Sequence, residues 1–525
     1  MPRGPLSKNY PAAVALVVLS LVPYLGLIAA VIPLTDVIAK SLHLSTSVLY
    51  IAMSVSAGAY SLGTVLAVQL AVHLPARRML VIYEAIFVAA SVLAASATDG
   101  GVFVVAFVAQ GLCTSLMLIA AVPPLVTAWP AQKMPITAGI MNLCIFGAVA
   151  VGPTVGALQL TGSQWRPLFW VVAGLAVLAL LFSLLTFEDQ PALDRSSPWD
   201  LVALSFSVIG CAAAFYGAGA LQSGRTANFA SVVPLIVGAV LLVALVVYEY
   251  RARRPLMPVK AVATSVPTTG IFIALSTSAA AFGLMELTLQ MLKHMKPASS
   301  PAHTALLFLP EFGGAVLVAG VFALLFRTRF VPVLAMGGLL LVVASAGVLL
   351  ATMPTKGPAV AVSTGLLGLG VGASVSPALF MAGLSLPAKL LQRVFAMIEL
   401  TRGVTAFLVA PILIFLAGVM GATSMSGMKY AVWICLAIAG FGFVGAGALY
   451  LTGRPWLEVP DLETWQGGAD DPAWHSPPLW AAMRSRAATA GQSPGGNVPP
   501  RFDLRDREAE ADRTPPQVRQ PAQRE

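Results

Sequence analysis

Residues 11–34 read PAAVALVVLSLVPYLGLIAAVIPL, an apolar run without one charged side chain. A helix needs about 20 such residues to cross the hydrocarbon of a bilayer. The apolar core of a secretory signal is about 7–15 residues long, so this run is too long for one, and it has no small-residue cleavage site. Further apolar runs follow it, and it is read as a retained span. Working outward, the same kind of run recurs to residue 452, with charges at the boundaries, and fourteen can be laid out. Only helices satisfy their own backbone over such lengths in lipid. The expected fold is therefore all-α and integral to the membrane, with about fourteen transmembrane helices.

Composition agrees. Of 525 residues, 58% are hydrophobic and 10% are charged, where a soluble domain carries about 25% charge; mean hydropathy is +0.85. No water-soluble globule hides that much apolar surface, which excludes a cytosolic enzyme, a secreted disulfide scaffold and a nucleic-acid binder. The net charge of +9 does not point to nucleic acid. Residues 453–525 hold 9 of the basic and 11 of the acidic groups, so the positive excess belongs to residues 1–452. Cys113, Cys144, Cys211 and Cys435 each sit inside an apolar run, with neither disulfide nor metal spacing. The five histidines are scattered. In the stretch Met291–Lys296, followed by His303, the lysines Lys293 and Lys296 repel a metal cation, so no metal and no cofactor is expected. There is no glycine loop for a phosphate, hence no ATP-driven step by this chain. A membrane enzyme would need clustered ligands or a nucleophile–base set, and none is legible. The partners expected are the lipid bilayer, a small-molecule substrate and protons, with no nucleic acid, and the chain is read as a monomer.

Lys and Arg favour cytoplasmic loops. With the N-terminus inside, fourteen of them fall in cytoplasmic segments and seven in outer loops. Both termini are therefore expected in the cytoplasm, in a multi-pass protein of the cell (inner) membrane.

Landmarks recur. Arg77 and Arg78 are echoed by Arg327 and Arg329, Pro124 by Pro377, and Pro153 by Pro411. Each pair takes the same place if helices 1–6 repeat as helices 9–14, with helices 7 and 8 inserted. Two such six-helix pseudo-repeats around a midplane cavity are a transporter architecture. The expected segments are a cytoplasmic N-terminus 1–10, a first six-helix half 11–187, a cytoplasmic linker 188–199, two inserted central helices 200–249 to which no chemistry is assigned, a basic linker 250–264, a second half 265–452 and a disordered cytoplasmic tail 453–525. The tail is rich in Pro, Gly and charge. Its Trp456, Trp465, Trp474 and Trp480 would otherwise dock on the membrane surface or on a partner.

In the fifth span, residues 147–157 read GAVAVGPTVGA. Gly152, Pro153 and Gly156 make it resemble the antiporter motif of the major facilitator superfamily, in its fourteen-helix drug:proton antiporter branch. Trp165-Arg166 followed by Phe169 is similar to the family's run after that helix. Gln110-Gly111 matches the end of its helix-4 motif, and Arg77-Arg78 the end of its gating loop. The resemblance covers residues 11–452 and implies an efflux antiporter working by rocking two halves about a central site. The chain departs from the pattern at Phe107, where the family carries arginine, and at Tyr24, where this branch carries aspartate. It also departs at Gln69, His73 and Ala76 in the gating loop.

A charge at the bilayer centre costs on the order of 3 kcal/mol or more, so each one needs a reason. The acids within or beside spans are Asp36, Glu84, Glu286, Glu311 and Glu399, and Arg402 is the one base well inside. By the superfamily pattern Glu286, Glu311, Glu399 and Arg402 fall on cavity-lining helices of the second half, whereas Glu84 is peripheral and Asp36 reaches the outer interface. Glu399 and Arg402, three apart on a helix, face each other, either as a neutralised structural pair or as a substrate site. Glu311 or Glu286 replaces the missing aspartate as the proton-linked acid, because burial disfavours a charged carboxylate. Two functions fit: an exporter of organic or amphipathic compounds coupled to protons, or an uncoupled facilitator or transporter-like sensor or accessory protein.

Overall fold

The computed structural model describes residues 6, 8–186, 198–224, 227–294, 300–353, 357–421, 425–453, 459–467, 472–474, 476–477 and 479. Among them, fourteen helices are long and apolar enough to cross a membrane. They are α1 (Tyr10–Ser41), α2 (Thr46–His73), α3 (Ala76–Ser96), α4 (Gly100–Thr127), α5 (Ala131–Thr161), α6 (Arg166–Thr186), α7 (Leu201–Ser223), α8 (Phe229–Arg251), α9 (Ser265–His294), α10 (Pro301–Leu325), α11 (Val331–Thr352), α12 (Gly357–Leu384), α13 (Leu391–Val419) and α14 (Met425–Gly453). Polar side chains start several of them. Asn9, Ser45, Asp99, Asp200, Asn228 and Ser300 each accept a hydrogen bond from an amide of the first turn, the groups a helix start leaves unpaired. In α5, a π-helical turn at Leu143–Gly147 lies just before Gly152-Pro153.

The packing repeats. Helix α1 lies against α5 and α6, α2 against α4, and α3 against α4 and α6. Eight helices later, α9 lies against α13 and α14, α10 against α12, and α11 against α12 and α14. The two bundles meet along two seams, α5 on α10 and α2 on α13. Exchanging the bundles turns one seam into the other, as a pseudo-twofold requires. Helices α7 and α8 break that symmetry. α7 packs on α2 and on α13, and α8 packs on α7. Ile236, Val240 and Val243 of α8 are exposed, an apolar face for lipid to cover.

Both ends of the passage between the bundles are bridged. At the end remote from Tyr10, Lys293 Nζ lies 3.7 Å from Asp36 Oδ2, and Thr154 Oγ1 donates to Ala305 O at 3.3 Å. In the interior, Asn142 Nδ2 donates to Gly372 O at 3.1 Å. At the near end, Gln392 Nε2 donates to Ile119 O at 3.2 Å.

The tail corrects the expectation of disorder over 453–525 for its first stretch. Residues 462–466 form a short helix that Asp461 caps through Thr464. Trp465 is 0% exposed, and its Nε1 donates to Leu386 O at 2.7 Å. Gln466 Nε2 donates to Val126 O and Trp129 O in the first bundle, at 3.1 and 3.0 Å. Ala473 N donates to Leu384 O, Val266 N to Ser476 Oγ, and Ser265 N to Pro477 O. The physical reason is local: Leu462, Trp465, Ala473 and Trp474 bury themselves between the near ends of the two bundles, an apolar core too sparse to register against the Pro, Gly and charge around it. Tyr10 packs edge-on against Trp129, centroids 5.3 Å apart, so the start of α1 and the tail share one face. Residues 483–525, Trp456 and Trp480 lie outside the described residues, as does most of the linker 188–199.

Candidate transport site between the bundles

Helix α13 carries Glu399 and Arg402 one turn apart, and the structure brings them together. Arg402 Nη2 approaches Glu399 Oε2 at 2.5 Å, and its Nε lies 3.1 Å from both carboxylate oxygens. The pair is buried and not isolated. Tyr60 Oη, on α2, donates to Glu399 Oε2 at 3.2 Å, and the Arg402 guanidinium lies 5.5 Å from the ring centre of Phe146 on α5. One ion pair of the second bundle thus touches two helices of the first.

Glu311, on α10, is 5% exposed and its Oε2 has no hydrogen-bond partner among the described residues. It lines a cavity of about 60 Å³ with Phe146, Ser278, Met285, Arg402 and Phe407. Glu286, on α9, lines a neighbouring cavity of about 30 Å³ with Met53, Ser54, Gln222 and Pro411. Phe282 and Phe407 line both and pack edge to face with centroids 4.9 Å apart. An aromatic wall therefore divides the interior into a Glu311/Arg402 compartment and a Glu286 compartment. Drug-sized molecules need roughly 300 Å³ or more, so the bundles must part to admit one.

Sequence reasoning missed two things. The first is Gln222 on α7, whose Nε2 donates to Glu286 Oε1 at 2.6 Å. The inserted pair, given no chemistry from the sequence, thus supplies a hydrogen bond to a buried acid of the second bundle. A lone Gln at the end of an apolar span gives no sign of its partner 64 positions on. The second is the wall itself, since two phenylalanines on distant helices look like ordinary core.

The motif residues are architectural. A Cβ on Gly152 would sit 2.5 Å from Ala29 Cβ, and one on Gly156 would overlap Ala30 O. These glycines let the α5 backbone lie directly on α1, as small residues do between membrane helices. Gln110 Nε2 donates to Ser91 Oγ at 2.9 Å, and Gly111 lies against Ser56 and the Tyr24 hydroxyl. Arg77 Nη2 donates to Leu184 O at 2.9 Å at the end of α6, and Arg78 is exposed. Glu84 on α3 is wholly buried and accepts from Ser20 Oγ of α1. Asp36 reaches the surface, as expected of it, and pairs there with Lys293.

The two main departures from the family pattern prove to be neighbours. Tyr24 and Phe107 have ring centroids 6.1 Å apart. Tyr24 Oη bonds Ser56 Oγ at 2.8 Å, and that Ser56 hydroxyl lies 2.7 Å from Phe107 O. Where the resemblance leads one to expect an acid on the first helix and a base on the fourth, both charges are replaced, and an aromatic contact stands in their place.

Two six-helix bundles paired in this way, with an ion pair buried where they meet, define a polytopic helical membrane fold. Residues 16–410 match the Major Facilitator Superfamily, and the chain belongs to that family. Among curated proteins it is similar to the multidrug resistance protein Stp of Mycobacterium tuberculosis strain H37Rv, 25% identical over 60% of this chain and 58% of that one. It also resembles the lincomycin resistance protein LmrB of Bacillus subtilis, 28% identical over 32% and 36%, and the drug efflux pump JefA of M. tuberculosis, 27% identical over 46% and 49%. The matches span between about a third and three fifths of these relatives' lengths. Among solved structures it shares its fold with the human organic anion transporter MFSD10 (TETRAN), TM-score 0.56, 13% identity, 83% of this chain and 99% of that one. It does so too with the peptide transporter POT, TM-score 0.59, 14% identity, 84% and 95%.

Proposed function

We propose that the chain exports amphipathic organic compounds across the cell membrane by alternating access, in exchange for protons carried by Glu311 and Glu286. Both ends of the helical bundle then face the cytoplasm, as the distribution of Lys and Arg favours. The observation that carries the reading is Glu311: a carboxyl buried between the bundles with one oxygen unpartnered, beside an apolar cavity and on the same cavity wall as Arg402. A buried polar group without a partner is costly unless it serves a function, and exchanging a proton as the cavity opens to water is such a function. The drug-resistance names of the relatives support the substrate class. Glu399–Arg402 with Tyr60 supports a contact between α13 and α2 that opens and re-forms as the bundles part, and the close α1–α5 contact at Gly152, Pro153 and Gly156 supports a first bundle that moves as one body.

The test is ethidium or norfloxacin accumulation in inside-out vesicles from a pump-deficient host. We expect pH-gradient-driven uptake to fall at least tenfold in Glu311→Gln, with protein level unchanged. Undiminished uptake in that variant overturns the role of Glu311. The second reading, an uncoupled facilitator, is favoured by the Tyr24–Phe107 contact that replaces two charges. Flux indifferent to a protonophore would establish it.

A further inference from the structure

The two inserted helices have so far had no task beyond packing. Glu286 is 4% exposed and belongs to the second bundle, yet the hydrogen bond it accepts comes from neither bundle: its donor is Gln222, on the first inserted helix. The amide cannot drift away. Near it on α7, a Cβ on Gly219 would come within 2.8 Å of Ile51 Cα on α2, and a Cβ on Gly58 of α2 would meet the Phe215 ring at 2.8 Å. Helix α7 is thus pressed backbone-close onto the first bundle while its last turn holds a carboxyl of the second.

We infer that Gln222 is a positioning residue for Glu286, and that α7 thereby completes the far compartment of the transport site. This rests on the reading that Glu286 exchanges protons. The chemistry of an amide suits the task. Its Nε2 donates to a carboxylate, and turned over, its Oε1 accepts from a protonated carboxyl. One side chain therefore keeps Glu286 hydrogen-bonded in either protonation state. A hydrocarbon side chain serves neither, and a charged one would favour one state. The other charged or titratable groups around Glu286 are Lys293 on its own helix, Asp36 on α1, which pairs with Lys293 at 3.7 Å, and Tyr50 on α2. None of them replaces the Gln222 bond. Helix α7 also packs on α13 of the second bundle, so the amide sits over the joint between the bundles.

The experiment is an infrared pH titration of the purified full chain in lipid, following the protonated-carboxyl C=O band that Glu286→Gln removes. In Gln222→Met, which keeps length and volume, we expect that band at higher frequency, because its hydrogen-bond partner is gone. In a Glu286→Gln background, Gln222→Met should change nothing further. Gel-filtration profiles matching the parent protein exclude misfolding as the cause. A Glu286 band unmoved by Gln222→Met overturns the inference and leaves the proposed function standing. If Glu286→Gln removes no titrating band, Glu286 carries no proton, and the inference falls together with that part of the proposed function.

Discussion

The two seams between the bundles are related by the pseudo-twofold and are built from opposite materials. Along α2/α13 lie a buried ion pair, a tyrosine donating to it and an extra helix laid over the joint. Along α5/α10 the backbones come close on small residues: a Cβ on Gly139 would meet Ala319 O at 2.9 Å and Ala323 Cβ at 3.0 Å. One seam is specified by a charged pair on one side and the tyrosine that reaches it from the other, the second seam by shape. A hydroxyl can leave a carboxylate and return to it across a gap, whereas backbone-close contacts hold only at one spacing. The difference teaches that a symmetric fold need not move symmetrically. The α5/α10 seam has the character of a bearing surface, and the α2/α13 seam that of a latch.

The largest effect expected from attacking this contrast comes from Arg402→Met, which strands Glu399 in the interior. Stripping one partner from a buried pair costs about 3–5 kcal/mol, visible as a fall in thermal midpoint in detergent. The double variant Glu399→Gln/Arg402→Met should recover part of it. If the single and double variants melt alike, charge does not specify this seam. Next, Gly139→Leu overfills the other seam, and overpacking costs about 1–3 kcal/mol. Here transport should stop while the variant still folds; normal transport would show the backbones are not held close. A smaller change follows from Trp465→Ala. An introduced cysteine at Ala120, beside the near-end cleft that Gln392 also lines, should react several-fold faster with a water-soluble maleimide, and an unchanged rate would mean the tail does not help close that end. The tail should also loosen in acid. Hydrogen bonds from Thr464 hold the Asp461 carboxyl below its usual range. Its contribution is therefore complete at neutral pH and lost as pH falls through that lowered value, which the difference in tryptophan emission between the parent protein and Trp465→Phe across pH would follow. Least of all, Asp36→Asn at the half-exposed pair with Lys293 should cost at most about 1 kcal/mol and leave transport near normal, its effect fading with salt.

Membrane helices announce themselves, because lipid permits almost no other backbone and the apolar run is long enough to be unmistakable. The span number, the α-only fold and the family were therefore legible from residues such as 11–34 and 147–157. Glu84, Glu286, Glu311 and Glu399 were legible too, each a rare letter in an apolar line, whereas the buried Glu249 at the end of α8 passed as a boundary charge. What could not be read was who faces whom. Tyr24 and Phe107 looked like two separate losses until the rings were found in contact. Gln222 looked like the end of a span. Trp465 looked like part of a charged tail, because the carbonyl it donates to, Leu386 O, is 79 positions away in sequence. Periodicity reports burial along one helix and carries no information about rotation between helices.

The seat of Trp465 has a consequence for biosynthesis. Its partner Leu386 lies between the twelfth and thirteenth helices, and the adjoining Gln466 holds the end of the fourth, while the indole itself leaves the ribosome only after all fourteen have been made. A chain threaded into the bilayer with one helix misplaced offers that indole no niche. Quenched or blue-shifted emission lost in Trp465→Phe would therefore serve as a readout of finished insertion.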